Sequence, residues 1–194
     1  MSEQARGEHP LGVALVPMTE TQFYDWLTGG GTQDLAIVVE ELAALGEGWC
    51  VIGDFAVNAY AIEPVTTTDV DFAIAPGLIE PLLVRLKVRG FQSKTFPYSV
   101  NVVGTSRVSV QFTTSEKYAE FPSRAEQRTL LGLPLRVASL ADTLAGKAMA
   151  WGAPERRPSK RLKDLSDMAR ILEAHPEAER LLPEAALQKI RDLV

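Results

Sequence analysis

The clearest pattern in the first quarter of the chain is an apolar stripe with helical spacing. Five apolar side chains recur every three or four residues, namely Leu35, Val38, Val39, Leu42 and Leu45. This spacing predicts a helix over roughly residues 33–45. Thr32 stands where an N-cap is expected, and Gly46 stands where such a helix would end.

Short apolar runs and turn residues predict the remaining elements. Residues 49–52 and 67–75 are expected to be strands, and Pro76-Gly77 ends the second of them. Gly104-Thr105-Ser106 is typical of a hairpin turn between two further strands. The other predicted elements are helices at 21–28, 55–61 and 78–89, strands at 98–104, 107–113 and 135–138, a polar helical stretch near 117–130, and helices at 140–152, 160–174 and 184–193.

The order of these elements predicts an α+β protein with a small mixed β-sheet flanked by helices and a C-terminal helical segment. Ser139 followed by Asp142 predicts a reciprocal cap at the start of that segment. We expect a flexible N-terminal lead over residues 1–20, an α/β core over 21–138, and a helical segment over 139–194 that packs on the core.

Composition limits the class of protein. The chain has 194 residues, of which 46% are hydrophobic and 23% are charged, as in a globular protein with one core. No apolar run approaches the ~20 residues of a membrane span, so no membrane partner is expected. The N-terminus lacks the layout of a signal peptide. The single cysteine, Cys50, excludes an intramolecular disulfide and favours a reducing cytoplasm.

Charge gives the chain no overall attraction to nucleic acid, because its formal net charge is −5. Any polyanion would have to meet a local basic patch. One such patch lies between residues 156 and 163 and contains Arg156, Arg157, Lys160, Arg161 and Lys163. A run of this kind is most often a solvated loop.

Two aspartates on a predicted strand carry the candidate chemistry. Asp69 and Asp71 are two residues apart, so on a strand they project to the same side. Paired carboxylates repel each other unless a cation lies between them, and hard oxygen ligands suit Mg²⁺ or Mn²⁺. Gly53-Asp54 precedes them, at the turn between an apolar strand and a short helix. This arrangement indicates a protein that handles a metal-bound nucleoside triphosphate.

These residues resemble a known pattern, that of the nucleotidyltransferase fold in the polymerase-beta superfamily, and in particular its small AbiEii-like and MNT-like bacterial branch. That family has an apolar strand, Gly-Gly or Gly-Ser, a short helix, and then Arg-x-Thr-x-Asp-x-Asp on the next strand. The corresponding stretch here is VIGDFAVNAYAIEPVTTTDVDFAI. The C-terminal helices add Lys147 in TLAGKAMAW and Lys163, Asp164 and Asp167 in KRLKDLSDM. The resemblance covers about residues 35–175.

The resemblance implies roles for the matching residues. Gly53 and Asp54 would lie at the turn that approaches the triphosphate, with the following helix presenting its amides. Asp69 and Asp71 would hold one or two Mg²⁺ (or Mn²⁺) ions that bridge the phosphates. Lys147 would contact phosphate. Asp164, or alternatively Asp167, would orient that lysine or the base.

The sequence departs from the family pattern at three places. Asp54 replaces the second small residue of the glycine pair and brings a negative charge to the expected phosphate position. Val65 replaces the arginine that precedes the threonine. On a later strand, where the family has a third aspartate, VSVQFTT offers Gln111 or Ser109. An amide oxygen is a weak metal ligand and cannot act as a base.

Simpler interpretations stay open beside these. Asp69 and Asp71 could be surface residues of an edge strand, and Asp54 could be the N-cap of a helix. Lys160, Lys163 and the two following aspartates have the spacing of a solvated helix face. Lys147 is different, because its helix is otherwise apolar. A buried amine needs an acidic partner, which Asp69, Asp71 or Asp164 could supply.

Three functions remain as alternatives. The first is a nucleotidyltransferase that uses a metal–NTP and modifies a hydroxyl of an RNA, protein or small molecule, as the toxin-type partner of a toxin–antitoxin or phage-defence pair. The second is a degenerate family member that binds nucleotide or regulates without turnover. The third is an antibiotic adenylyltransferase, which was expected to need a larger acceptor domain than this C-terminal segment provides.

Overall fold

A seven-stranded mixed β-sheet forms the centre of the molecule in a computed structural model that describes residues 18–192. The strands are β1 (Trp49–Ile52), β2 (Asp69–Ile74), β3 (Gln92–Phe96), β4 (Ser99–Val103), β5 (Ser109–Thr113), β6 (Glu126–Leu130) and β7 (Leu133–Val137). Their order across the sheet is β3-β4-β5-β2-β1-β7-β6. The predicted lead over residues 1–20 lies mostly outside the described residues, and Glu20 already belongs to the first helix.

The sheet contains both parallel and antiparallel strand pairs. The β1 and β2 strands are antiparallel to each other, and each has a parallel neighbour on its other side, β7 and β5 respectively. The outer pairs β3–β4, β4–β5 and β6–β7 are antiparallel. The sheet is therefore mixed, as predicted.

Helices contribute most of the apolar side chains that pack on the core face of the sheet. They are α1 (Glu20–Thr28), α2 (Gly31–Ala43), α3 (Gly53–Asn58), α4 (Pro76–Val88), α5 (Leu140–Gly152), α6 (Pro158–Ala174) and α7 (Glu184–Arg191), with 3₁₀ turns at Glu116–Tyr118, Pro122–Arg124 and Pro176–Leu181. The α2 helix packs against α4, and α5 packs against α6, while α3 contacts both α5 and α6. The C-terminal helices thus reach back to the turn that follows β1.

The two faces of the central strands differ in chemistry. Val70 and Phe72 of β2, with Phe112 of β5, are fully buried and stack in the main core against Leu35 and Leu82 from the helices. Asp69 and Asp71 of β2 and the intervening positions on β5, namely Ser109, Gln111 and Thr113, are polar and face the other way. Because strand side chains alternate, a sheet with one core face presents these polar groups together on the opposite face.

Most predicted elements are confirmed, and the predicted hairpin is among them, since β4 pairs with β5 across the Gly104 turn. Ser139 caps α5 as predicted, because its hydroxyl accepts a hydrogen bond from the Asp142 amide. The predicted reciprocal bond differs: the Asp142 carboxylate accepts from the Ser139 hydroxyl, whereas a reciprocal cap uses the Ser139 backbone amide. Thr32 is not an N-cap: α2 begins at Gly31, and the Thr32 hydroxyl donates to the carboxylate of Asp25.

The helical stretch predicted near 117–130 is wrong, and one strand was missed. Residues Glu126–Leu130 form β6, whose partner β7 lies across a tight turn at Leu131 and Gly132, both with positive φ. The missed strand is β3 (Gln92–Phe96). Both are edge strands made of largely exposed residues, so they carry no apolar alternation that a sequence pattern could show.

Candidate active site

The polar face of the sheet opens on a cavity of about 480 Å³. Strands β2, β4 and β5 form its floor, and residues of α3, α5 and α6 form its walls. Six of the residues predicted for the site line it, namely Gly53, Asp54, Asp69, Asp71, Lys147 and Asp164. The sequence motifs, which are separated by up to 111 positions from Gly53 to Asp164, therefore converge on one cavity.

Asp69 and Asp71 project from β2 into this cavity. Asp69 is exposed and Asp71 is half-buried. Burial, and then the neighbouring charges of Asp54 and Asp69, raise the pKa of Asp71 from its ordinary 3.8 to about 6. A carboxylate whose ionised form is disfavoured by desolvation and like charges gains from a cation placed beside it. The edge-strand interpretation is wrong, because β2 has neighbours on both sides.

Gly53 makes the close approach of Asp71 possible. It has a φ of +66°, and a Cβ atom placed on it would collide with the Asp71 carboxylate. Only glycine combines the left-handed conformation with this free space. The α3 helix starts here, so its first amides lie at the cavity.

The neighbouring strands extend the row of oxygen atoms. Gln111 of β5 pairs in register with Asp71, and Ser109 pairs with Asp69. Asn101 of β4 lies opposite Gln111, and its Oδ1 atom is buried without a hydrogen-bond partner. Both positions predicted for the third carboxylate thus face the cavity, and neither holds a carboxylate.

The donor set fits a small divalent cation. Two carboxylates, two amide oxygens and a hydroxyl are hard oxygen ligands, and Mg²⁺ is commonly bound by one or two carboxylates together with substrate phosphates and water. Within residues 18–192, no group of three or more Asp, Glu, His or Cys side chains is placed to share one metal ion. Asp69 and Asp71 would therefore have to hold an ion with help from substrate or water.

Lys147 lies in the opposite wall, where two carboxylates hold it. Its Nζ atom is 2.6 Å from Oδ1 of Asp54 and 2.6 Å from Oδ2 of Asp167. Burial alone would lower the pKa of Lys147, but these two carboxylates outweigh burial and raise it. The predicted partners Asp69, Asp71 and Asp164 are wrong, because the acids that contact this amine are Asp54 and Asp167.

Asp54 belongs to this ion cluster and is not the N-cap of α3. The helix begins at Gly53, and Ile52 occupies the cap position without a side-chain bond. Lys163 also lies 2.8 Å from Oδ1 of Asp54. Although burial acts in the other direction, Lys147 and Lys163 hold the pKa of Asp54 well below its usual range.

Asp164 has a different partner from the one that its predicted role requires. Its buried carboxylate accepts two hydrogen bonds of 2.8 Å from Arg156, in a bidentate pair. The predicted solvated loop thus contributes an arginine that is fixed beside the cavity. Arg161 is also bound, to the carbonyl groups of Ala153 and Arg156.

Some site residues carried no recognised signal in the sequence. Asn101 alternates with Val100 and Val102, so its place on the polar face of a strand was available from the pattern. Tyr118 comes from a 3₁₀ turn and lines the cavity beside Gly146 of α5. Val65, which stands where the family has an arginine, lines a separate apolar cavity together with Tyr24. Position 65 therefore contributes no cation to the candidate site.

Comparison with known proteins places this site in a family. A family model described as "Nucleotidyl transferase AbiEii toxin, Type IV TA system" matches residues 78–192, which is more than half of the chain. The protein belongs to the AbiEii nucleotidyltransferase family. The matched region contains Gln111, Lys147 and Asp164 and begins after Asp71. No curated protein gives a significant sequence match.

Solved structures show the same fold at low sequence identity. A nucleotidyltransferase-like antigen of Paracoccidioides brasiliensis is 17% identical, with a TM-score of 0.57 over 84% of this chain and 89% of that one. ANT(2'')-Ia, solved with adenylyl-2''-tobramycin, is 13% identical, with a TM-score of 0.57 over 82% and 96%. A putative nucleotidyltransferase of Helicobacter pylori is 16% identical, with a TM-score of 0.55 over 84% and 74%.

The chain lengths correct one expectation about function. Because the likeness covers 96% of ANT(2'')-Ia, that protein has no large additional domain beyond the shared fold. The expected need for a larger acceptor domain therefore does not hold for ANT(2'')-Ia. Among the described residues, no helix is both long enough and apolar enough to cross a membrane.

Proposed function

We propose that this AbiEii family member transfers a nucleotidyl group from a metal-bound nucleoside triphosphate to a hydroxyl group of an RNA, protein or small-molecule acceptor. One observation carries the proposal: Asp69 and Asp71, which we propose as metal ligands, line the same cavity as Lys147, which we propose as the phosphate contact. The family and fold support nucleotidyl transfer as the general chemistry.

Each group of residues has a part in this proposal. Asp69 and Asp71 would hold Mg²⁺ or Mn²⁺, and the ion would neutralise charge on the phosphates during an in-line displacement. Gly53 keeps the α3 amides open to phosphate oxygens. Lys147 supplies a positive charge on the other side of the cavity, and Asp164 acts through Arg156 as a positioning residue.

The proposed partner and acceptor rest on the description of the family more than on the geometry of the cavity. The family is described as a toxin of a type IV toxin–antitoxin system, and we propose an antitoxin as the biological partner on that basis. RNA is the acceptor to test first, since the exposed Lys160 lines the cavity and offers positive charge to a phosphate backbone.

The alternative is a family member that binds nucleotide, or regulates, without turnover. Two contacts favour it. Gln111 stands beside Asp71 where a third carboxylate would serve as base, and an amide cannot take a proton. Asp54 neutralises the lysines that a phosphate would contact.

A labelling experiment separates the two functions. The protein is incubated with each labelled NTP, Mg²⁺ or Mn²⁺ and a mixed RNA pool, beside an Asp69→Asn/Asp71→Asn variant. A Glu40→Gln variant, which changes an exposed carboxylate far from the cavity, is the matched control. Transfer that the double variant loses and the control keeps supports the enzyme.

The opposite result is equally informative. Absence of transfer, together with metal-dependent NTP binding that is unchanged in the double variant by calorimetry, contradicts the metal role of the two aspartates. Absence of transfer with NTP binding that the double variant loses supports the alternative, a nucleotide-binding protein without turnover.

A further inference from the structure

The ion cluster in the cavity wall has two carboxylates, of which Asp54 faces the cavity and Asp167 is buried behind it. Asp167 is 4% exposed at its side chain and does not line the cavity, whereas the Asp54 side chain is 26% exposed and does. A single oxygen of Asp54, Oδ1, lies between the Nζ atoms of Lys147 and Lys163 at 2.6 and 2.8 Å. The cavity thus contains an anionic oxygen bridging two ammonium groups.

This bridging position is chemically equivalent to that of a phosphate oxygen. A non-bridging phosphate oxygen carries negative charge and accepts N–H donors at about 2.7–2.9 Å, as a carboxylate oxygen does. While Asp54 occupies the position, a phosphate group approaching the two lysines meets a like charge and finds both amines already paired.

Asp54 is not the only carboxylate that stabilises the buried amine. Asp167 accepts from Lys147 at 2.6 Å, from Lys163 at 3.0 Å and from Arg170 at 3.2 Å. Three cations therefore share two carboxylates, and without Asp54 the same three cations would share one. The excess of positive charge would then face the cavity, because Lys147 and Lys163 line it as Asp54 does.

The other cations that line the cavity do not compensate for this. Arg156 is held by Asp164 in a bidentate pair. Lys160 makes no ion pair with any residue in the described part of the chain. In this state a triphosphate would meet one unpaired cation in the cavity.

We propose that Asp54 is a built-in anion that competes with the triphosphate for Lys147 and Lys163, and so sets how strongly the site binds nucleotide. This inference rests on the proposed function of the cavity as a triphosphate site. It assigns Asp54 a role in specificity: the site discriminates against polyphosphates until its own carboxylate is displaced or removed.

Phosphate affinity measured without metal tests the proposal. Sodium tripolyphosphate and ATP are titrated by calorimetry, in EDTA and at low ionic strength, into the wild type and into Asp54→Asn and Asp54→Ser. We expect both variants to bind tripolyphosphate at least about tenfold more tightly, with a gain that shrinks as salt is added. Equal or weaker binding by variants with wild-type circular dichroism and melting behaviour would overturn the proposal.

Two further variants show whether the gain acts through the lysines. Asp142→Asn removes the same charge from the same cavity, but Asp142 pairs with Arg124, so we expect no comparable gain. Asp54→Asn/Lys163→Met should show a clearly smaller gain than Asp54→Asn, measured against Lys163→Met alone. A gain of equal size in Asp142→Asn, or one independent of Lys163, would overturn the proposal.

The same variants keep this inference separate from the proposed function. Tighter metal-free binding by Asp54→Asn, with no nucleotidyl transfer by any form of the protein, supports the role of Asp54 and contradicts the transferase. Transfer by the wild type, with unchanged tripolyphosphate affinity in Asp54→Asn, supports the transferase and contradicts the role of Asp54.

Discussion

The Nζ atom of Lys147 lies 2.6 Å from Oδ2 of Asp167, between the α5 and α6 helices. Both side chains are almost fully buried. Without Asp167, Lys147 and Lys163 would share the carboxylate of Asp54 alone and Arg170 would lose the carboxylate that it contacts. We expect Asp167→Asn to lower the free energy of unfolding by about 3 kcal/mol. Denaturant unfolding at pH 7.5 measures the loss.

A surface pair provides the comparison for this prediction. Glu40 accepts from Arg89 at 3.0 Å, but its side chain is 65% exposed. Exposed pairs contribute little, so Glu40→Gln should unfold almost as the wild type does. If Asp167→Asn were as stable as Glu40→Gln, the pair with Lys147 would not hold α5 and α6 together.

The assignment of Asp167 shows what spacing along a helix cannot decide. Asp164 and Asp167 are three residues apart and lie on neighbouring positions of α6. The sequence left open whether Asp164 or Asp167 orients Lys147, because the choice depends on how α6 rotates against α5. That rotation is fixed by tertiary packing around Met168 and Ile171, which are fully buried.

Contacts between residues that are close in the sequence could be predicted, whereas contacts between distant residues could not. That Asp69 and Asp71 project together into one cavity could be predicted because they lie two residues apart on one strand. Asp54 was ambiguous, because its partner Lys147 is 93 residues away and a local pattern favours an N-cap equally well. The mixed sheet could be predicted from apolar runs, whereas its exposed edge strands could not.

Gly53 is predicted to be intolerant of even one added carbon atom. Gly53→Ala places a side chain at a φ of +66° and against the Asp71 carboxylate, so we expect a loss of roughly 1–3 kcal/mol in stability. Gly77→Ala is the matched control, since a Cβ there meets no atom within 4 Å and its φ is not positive. Thermal unfolding of both variants should show a clear loss only at position 53.

Asp71 is predicted to make stability depend on pH. Its folded-state pKa is raised from 3.8 to about 6, so the folded state binds the proton more tightly than the unfolded state does. The corresponding stability is fully present below about pH 4 and is lost as the pH rises through about 6. Asp71→Asn cannot ionise, so it should be more stable than the wild type above pH 7, by about 1–3 kcal/mol.

The measurement for Asp71 is a pair of unfolding curves at each pH, without divalent metal. The stability difference between Asp71→Asn and the wild type should be smallest near pH 4, grow through pH 6 and become constant above pH 7. A difference that does not change over this range would contradict the raised pKa. Adding Mn²⁺ at pH 7.5 should stabilise the wild type more than the variant.

Gln111 is predicted to be the position at which a third carboxylate would complete the site. It pairs in register with Asp71 on the adjacent parallel strand, and both side chains face the cavity. Gln111→Asp should raise the affinity for Mn²⁺, by about tenfold or more, because a third carboxylate adds charge to the ligand set. The same substitution should lower stability without metal, because it adds a like charge beside Asp71.

Ser109→Asp distinguishes the register from a general effect of negative charge. Ser109 pairs with Asp69, which is more exposed than Asp71, so a carboxylate there should strengthen Mn²⁺ binding less. Isothermal titration of both variants gives the affinities, and the labelled-NTP assay shows whether transfer rises in parallel. If Ser109→Asp binds Mn²⁺ as well as Gln111→Asp, or if neither gains affinity, then Asp71 and Gln111 do not define the centre of the metal site.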